Sequence, residues 1–340
     1  MAPRNDGDRL RVTWRALAGA GAGEGWRTIP IELTGPCHLL AGRQFPGNQE
    51  AILVGFRSVR VPPDDHLPRG HGFRVDRVRR EDVPVEADVW LSLSRQSSGS
   101  LDMFATMAAD IIGLLETCRH TGEDRLFQLF LGRIWAWQDF MERGRDGILG
   151  PEAEVGLVGE LVVLKGLLDA RIPPIVALDT WQGPLDGLHD FEIGTGAIEV
   201  KATVSTAGFP ATIGSLEQLD ESLRRPLFLA GVRLALGGQG RVLPEFVADL
   251  RDRIGADPAA LGVFESRLVQ AGFLQAFANV YTRRFSHACT VALPVDERFP
   301  KLTRYNVGIA VRKARYELDL DLVDVADIGL DRALEQLGGI

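Results

Sequence analysis

Residues 190–201, D-F-E-I-G-T-G-A-I-E-V-K, divide their side chains by parity. Successive side chains of a strand point to opposite faces. Two short strands around a glycine turn would put Phe191, Ile193, Ile198 and Val200 on one face, with Asp190, Glu192, Glu199 and Lys201 on the other. The turn can be drawn in two ways. With Gly194-Thr195 as a two-residue loop, glycine first as a II′ turn prefers, Asp190 lies across from Glu199. With Thr195-Gly196 the pairing slides by two and Asp190 meets Lys201. The charged set stays together in both registers.

Carboxylates directly across a strand pair repel one another. A divalent cation between them would remove that cost, and Mg²⁺ takes carboxylates, backbone carbonyls and water. Lys201, two residues beyond Glu199, would hold or deprotonate a water there. The competing reading is a solvated hairpin face with an incidental ion pair, which is worth little.

The preceding segment bears on that choice. Residues 155–168, V-G-L-V-G-E-L-V-V-L-K-G-L-L, are apolar almost all round, the pattern of a buried helix. Glu160 sits in its middle, and its neighbours three and four residues away are Gly156, Leu157, Val163 and Leu164, none of which can pair with a charge. Its partner must come from outside the helix. Gly156 and Gly159 flank that face and would admit a close neighbour. The partner is either an arginine in a tertiary salt bridge or a metal shared with the hairpin acids.

A buried helix with one glutamate, then an acid, then E-x-K across a hairpin, resembles the PD-(D/E)XK superfamily of restriction-endonuclease-like folds. G-L-V-G-E-L (156–161), H-D-F (189–191), I-E-V-K-A (198–202) and S-L-E-Q-L-D (215–220) resemble more closely the bacterial group described as putative PD-(D/E)XK family members. The likeness extends to D-M-F-A-T-M-A-A-D (102–110), W-A-W-Q-D-F (135–140) and F-P-K-L (299–302). The resemblance implies that Asp190 and Glu199 bind metal, that Lys201 is the catalytic lysine, and that Glu160 is the supporting helix carboxylate. Gln218 matches the glutamine that positions substrate or site. One departure stands out: the superfamily's acid follows a proline, whereas Asp190 follows His189, and Pro184 precedes Asp186 by two. Asp186 is therefore a rival first acid, and Glu192 a weaker one.

The chemistry so implied is phosphodiester hydrolysis with Mg²⁺, or Mn²⁺ in its place, held by Asp190, Glu199 and Glu160, with the Val200 carbonyl completing the shell. Lys201 would orient the attacking water and offset charge on the transition state. His189 is read as a packing neighbour ahead of a general base. The resemblance also implies a DNA endonuclease of bacterial anti-phage defence, with companion ATPases or helicases and a methyltransferase, and a homodimer. A non-catalytic DNA- or protein-docking subunit is the alternative, and an RNA substrate ranks lower.

Composition sets the outer bounds. Of 340 residues, 45% are hydrophobic and 25% charged, as in ordinary globular proteins, and no apolar run reaches the length of a membrane span. The first residues lack the apolar core of a secretory signal. Three widely spaced cysteines suggest neither a disulfide framework nor a zinc site, so a reduced, cytoplasmic protein is expected. A net charge of -8 argues against a nucleic-acid coat protein and leaves room for local contacts. The basic strips are Arg74/Arg77/Arg79/Arg80, Arg224-Arg225, Arg283-Arg284 and Arg312/Lys313/Arg315.

The expected class is α/β (α+β), a mixed sheet flanked by helices. Residues 1–100 form a β-rich module, with strands at 11–14, 28–33, 50–56 and 89–93 and a glycine loop at 19–25. Two amphipathic helices fill 101–150, at 102–119 and 124–143. A nuclease core spans 151–236, as helix 153–169, strand 175–181, hairpin 188–204, a short helix from Ser215 with Gln218 completing a capping box, and strand 226–236. Residues 237–340 are helical over 244–278 and β at 283–293 and 307–322, then acidic and partly helical.

Overall fold

Leu10, Trp14 and Leu17 are buried while Val12 is 64% exposed, a spacing only a helix produces. The computed structural model accordingly has α1 (Asp6–Leu17) where a strand was expected at 11–14. The alternation in Arg11-Val12-Thr13-Trp14 was too short to outweigh the i, i+4, i+7 stripe around it. The structure describes residues 6–19, 23–32, 35–70, 72–85, 87–142, 149–255 and 257–338. Part of the expected glycine loop, 20–22, lies outside them, as do 143–148. The chain divides into two units, Met1–Gly147 and Ile148–Ile340.

In the first unit, β1 (Gly25–Pro30), β2 (His38–Phe45), β3 (Gln49–Phe56), β4 (Arg69–Gly70), β5 (Phe73–Val78) and β6 (Val89–Arg95) form an antiparallel sheet in the order β1-β2-β3-β6-β5-β4. α2 (Leu101–Thr117) and α3 (Glu123–Glu142) follow. Ser100 caps α2 by accepting from the Met103 N–H. Asp110 joins the helices: it takes two bonds from Arg133, at 2.7 and 2.9 Å, and one from the Trp137 indole at 2.8 Å. Of the apolar stripe on α3, Leu126, Phe127, Phe130, Leu131, Ile134 and Trp137 are buried core, whereas Trp135 is exposed.

The second unit opens with α4 (Pro151–Asp169), whose Pro151 sits in the first turn, where its missing N–H costs nothing. α5 (Pro174–Thr180) is a helix and not the strand expected at 175–181; only Trp181 bridges to Phe191. That run is too short for periodicity to decide between the two states. β7 (Phe191–Ile193), β8 (Gly196–Thr203), β9 (Pro210–Ile213) and β10 (Leu227–Arg241) come next. α6 (Leu243–Ile254), α7 (Pro258–Gln270), β11 (Phe285–Pro294), β12 (Tyr316–Asp319) and α8 (Leu330–Gln336) complete the unit.

Its main sheet runs β11-β10-β8-β7, with β8 and β10 parallel and the other pairs antiparallel. The fold class is thus mixed α/β, as expected. Ile198 and Val200 face a core with α4, α6 and α7, while Ala197, Leu227 and Leu229 face a second core with β9. Because both faces are covered, β8 and β10 are apolar along most of their buried length. β11 extends this sheet. Among the described residues β9 pairs only with β12, and the strand expected over 307–322 is confined to Tyr316–Asp319. No helix starts at Ser215: residues 214–225 are turns, and the Gln218 side chain accepts from the Gly214 N–H at 2.7 Å instead of closing a capping box. Among the described residues, no helix is long and apolar enough to cross a membrane.

Candidate active site

The hairpin takes the first register. Ile193 pairs with Gly196 and Phe191 with Ile198, which sets Asp190 across from Glu199. Gly194, at φ +57°, takes the left-handed position a glycine-first turn requires. β7 begins only at Phe191, and Asp190 just before it exploits this: its Oδ2 accepts the Val200 N–H at 2.7 Å where the ladder would otherwise continue. In a strand the N–H and C=O of one residue face the same side, so the Val200 carbonyl is directed toward Asp190 as well.

α4 delivers Glu160 to the same place. Gly159 makes this possible, because a Cβ there would lie 2.6 Å from that of Ala202 on β8. Gly156 is not needed for the approach, since a Cβ there would meet open space. Glu160 Oε2 accepts the Trp181 indole N–H at 2.7 Å. Gly183 lies against both acids: a Cβ on it would stand 2.6 Å from Glu160 Oε2 and 2.9 Å from Asp190 Oδ1. Lys201 Nζ donates to Glu199 Oε1 at 2.7 Å.

The three carboxylates are held in an environment hostile to charge. Burial, then Asp190 and Glu199, drive Glu160 well above the carboxylate range, with the Trp181 bond working against them. Burial raises Asp190, opposed by the Val200 N–H and Lys201. Burial and Asp190 push Glu199 up to about 8 despite Lys201. Glu199 is buried, whereas Glu160, Asp190 and Lys201 each keep partial access to solvent, so the cluster has a mouth.

The rivals fall away on position. Asp186 is exposed, in a left-handed turn at φ 56°. Glu192 is engaged by Arg224. Gln218 stays with Gly214, and among the described residues no hydrogen bond joins it to the acids. His189 is buried with both ring nitrogens lacking a hydrogen bond of ordinary geometry, and burial lowers its pKa. The Gln218 backbone and Glu192 lie near enough to resist that shift only in part.

Sequence reasoning missed Trp181 and Gly183. An indole N–H for the orphan Glu160 had no local signal, and Gly183 carried none either. Among the described residues, no three His, Cys, Asp or Glu side chains stand arranged to hold an ion. The donor chemistry nonetheless fits a hard divalent cation. One oxygen of each carboxylate is engaged, by Trp181, Val200 or Lys201, while Glu160 Oε1, Asp190 Oδ1 and Glu199 Oε2 have no hydrogen bond among the described residues. Three acids against one lysine leave negative charge in a desolvated space, the condition a cation relieves.

This arrangement meets a sequence-level finding. A family model described as Putative PD-(D/E)XK family member (DUF4420) matches residues 10–321. The chain belongs to this family. PD-(D/E)XK enzymes are typically nucleases and usually use Mg²⁺. No curated protein and no solved structure matches the chain. Within the matched residues of this putative PD-(D/E)XK member, Glu199 stands two residues before Lys201, and histidine, not proline, precedes Asp190.

Proposed function

We propose that the chain is a metal-dependent DNA endonuclease. One observation carries this reading: Glu160, Asp190, Glu199 and Lys201 come together just before β7 begins, with Asp190 locked to the Val200 N–H. Asp190, Glu199, Glu160 and the Val200 carbonyl would hold Mg²⁺ or Mn²⁺, which when bound polarises the phosphate and lowers the pKa of the attacking water. Lys201 orients that water and stabilises negative charge on the phosphoryl oxygens. Water adds its oxygen to phosphorus, the bond to the leaving ester oxygen breaks, and that oxygen takes up a proton. Trp181 fixes the rotamer of Glu160, and Gly183 leaves room for the Glu160 and Asp190 carboxylates to come close.

DNA as substrate, a role in bacterial defence beside companion ATPases, helicases or a methyltransferase, and a homodimer belong to this proposal. The test is plasmid DNA with Mg²⁺ or Mn²⁺, using wild type, Lys201→Ala and Asp190→Ala. Nicking by wild type alone is expected; equal nicking by all three removes the assignment.

One observation favours a second reading, a docking subunit without catalysis. The Trp181 indole gives Glu160 a partner that needs no metal. Isothermal titration with Mg²⁺ separates the two, since a docking subunit would show no heat of binding and no change on Glu199→Ala.

A further inference from the structure

Most arginines and lysines of the second unit have an acidic partner: Arg224 meets Glu192, Arg251 meets Glu265 and Arg283 meets Glu154. Arg312, Lys313 and Arg315 differ. All three are exposed, and none has a hydrogen-bond or ion-pair partner among the described residues. In a chain of net charge -8, three unpaired cations within four residues are a local concentration of positive charge.

The loop that carries them is built and not slack. Residues 302–315 contain no helix or strand, yet Thr303 is buried and its N–H donates to Asn306 Oδ1 at 2.7 Å. Asn306 Nδ2 returns to the Lys301 carbonyl at 2.7 Å. The Leu302 N–H donates to the Tyr316 hydroxyl at 3.0 Å, which closes the neck. Beyond that neck, Tyr305 is 80% exposed and Ile309 fully so.

The neck lies beside the candidate active site. Arg304 is tied to Glu217 at 2.8 Å, which fixes the loop against the turns that follow β9. Tyr316 pairs with Ile213 on β9, the strand that follows Glu199 and Lys201 on β8. Burial raises the Tyr316 hydroxyl's pKa, and Lys201 is near enough to pull it the other way.

We infer that residues 302–315 form the surface that holds the phosphate backbone of duplex DNA against the carboxylate cluster. Arg312, Lys313 and Arg315 meet phosphates, while Tyr305 and Ile309 supply apolar contact to sugars and base edges. An acidic protein would suit the charges alone; the neck beside Lys201 favours the substrate of that site. This inference rests on the nuclease reading, so binding and cleavage are tested separately.

The probe is fluorescence anisotropy of a short labelled DNA duplex with Ca²⁺ present, in a Lys201→Ala background so that no strand is cut. Converting Arg312, Lys313 and Arg315 together to alanine should weaken binding about tenfold or more, and lower the slope of log affinity against log salt by about 2–3. Arg171→Gln with Arg332→Gln, exposed cations elsewhere in the unit, should change neither. Circular dichroism melts of the triple variant should overlay the parent's, since all three side chains are solvated. Equal affinity and salt slope for parent and triple variant overturn the inference while the nuclease reading stands. Absence of duplex binding by the parent overturns it too, and plasmid nicking by wild type then judges the nuclease reading by itself. Polyglutamate bound as tightly as the duplex, and lost in the triple variant, would reassign the loop to an acidic protein and likewise overturn it.

Discussion

Trp181 donates its indole N–H to Glu160 at 2.7 Å, joining the end of α5 to the carboxylate in the middle of α4. Trp181 is fully buried, so this bond is shielded from competing water. Trp181→Phe keeps most of the apolar volume and removes only the donor. The cost should be roughly 1–3 kcal/mol in urea unfolding, the range for orphaning a buried polar group. Trp181→Phe combined with Glu160→Gln should cost less than the sum of the two single changes. Additive losses would mean the bond contributes nothing.

The raised carboxylates give a signed pH dependence in metal-free protein. Glu199 titrates near 8 when folded against an ordinary 4.5, so the folded state binds more protons across that window. Stability contributed by the neutral form is fully present below about pH 4.5 and is lost as pH rises through about 8. Glu160 and Asp190 shift in the same direction. In EDTA, wild type should therefore lose stability between about pH 5 and 8 relative to Glu199→Gln, on the order of a few kcal/mol. Mg²⁺ at pH 8 should restore it. Parallel stability curves for the two proteins in EDTA would contradict the assignment.

Lys201 works against burial to keep Glu199 ionisable. Lys201→Met removes that support, so Glu199 should hold its proton to still higher pH. Plasmid nicking should fall by about 100-fold or more, the scale set by loss of a positioned charge in a transition state. Cleavage within a few-fold of wild type would leave Lys201 a structural partner of Glu199 and nothing more.

Much of this was legible before any coordinates. The hairpin could be read because period-two parity put four charges on one face, and the turn glycine limited the register to two choices. Glu160 stood out because nothing within one helical turn could neutralise it. What could not be read depends on contacts distant in sequence or on competing short signals. Trp181 reaches Glu160 across 21 residues, and Gly183 matters only because Glu160 and Asp190 crowd it. The segments 11–14, 175–181 and 215–218 were misjudged because four to seven residues carry too little periodicity to decide a state. The bound from Gln218 back to Gly214 shows a capping contact made without a helix.

Two glycines on α4 should respond oppositely to alanine. At Gly156 the added methyl meets nothing, so Gly156→Ala should stabilise the protein by about 0.5–1 kcal/mol through helix propensity. At Gly159 it would meet Ala202 at 2.6 Å and push α4 off β8. Gly159→Ala should cost about 1–3 kcal/mol, as overpacking does, and reduce nicking because Glu160 moves with the helix. Thermal melts and plasmid assays on both variants check this, and equal behaviour would contradict the packing described here.

Gly183 offers the sharpest separation of chemistry from stability. Its backbone needs no left-handed conformation, so alanine brings only a methyl group. That methyl would lie 2.6 Å from Glu160 Oε2 and 2.9 Å from Asp190 Oδ1, closer than real contacts allow. Both carboxylates must therefore shift, while the cores on either side of the sheet stay untouched. Displacement of positioning groups by a fraction of an ångström to 1 Å is enough to cost on the order of 10–100-fold in rate. Gly183→Ala should thus keep a melting temperature within a few degrees of wild type, yet nick plasmid at least tenfold more slowly and bind Mg²⁺ more weakly by calorimetry. Wild-type rates from a stable Gly183→Ala protein would place the working acids somewhere other than Glu160 and Asp190.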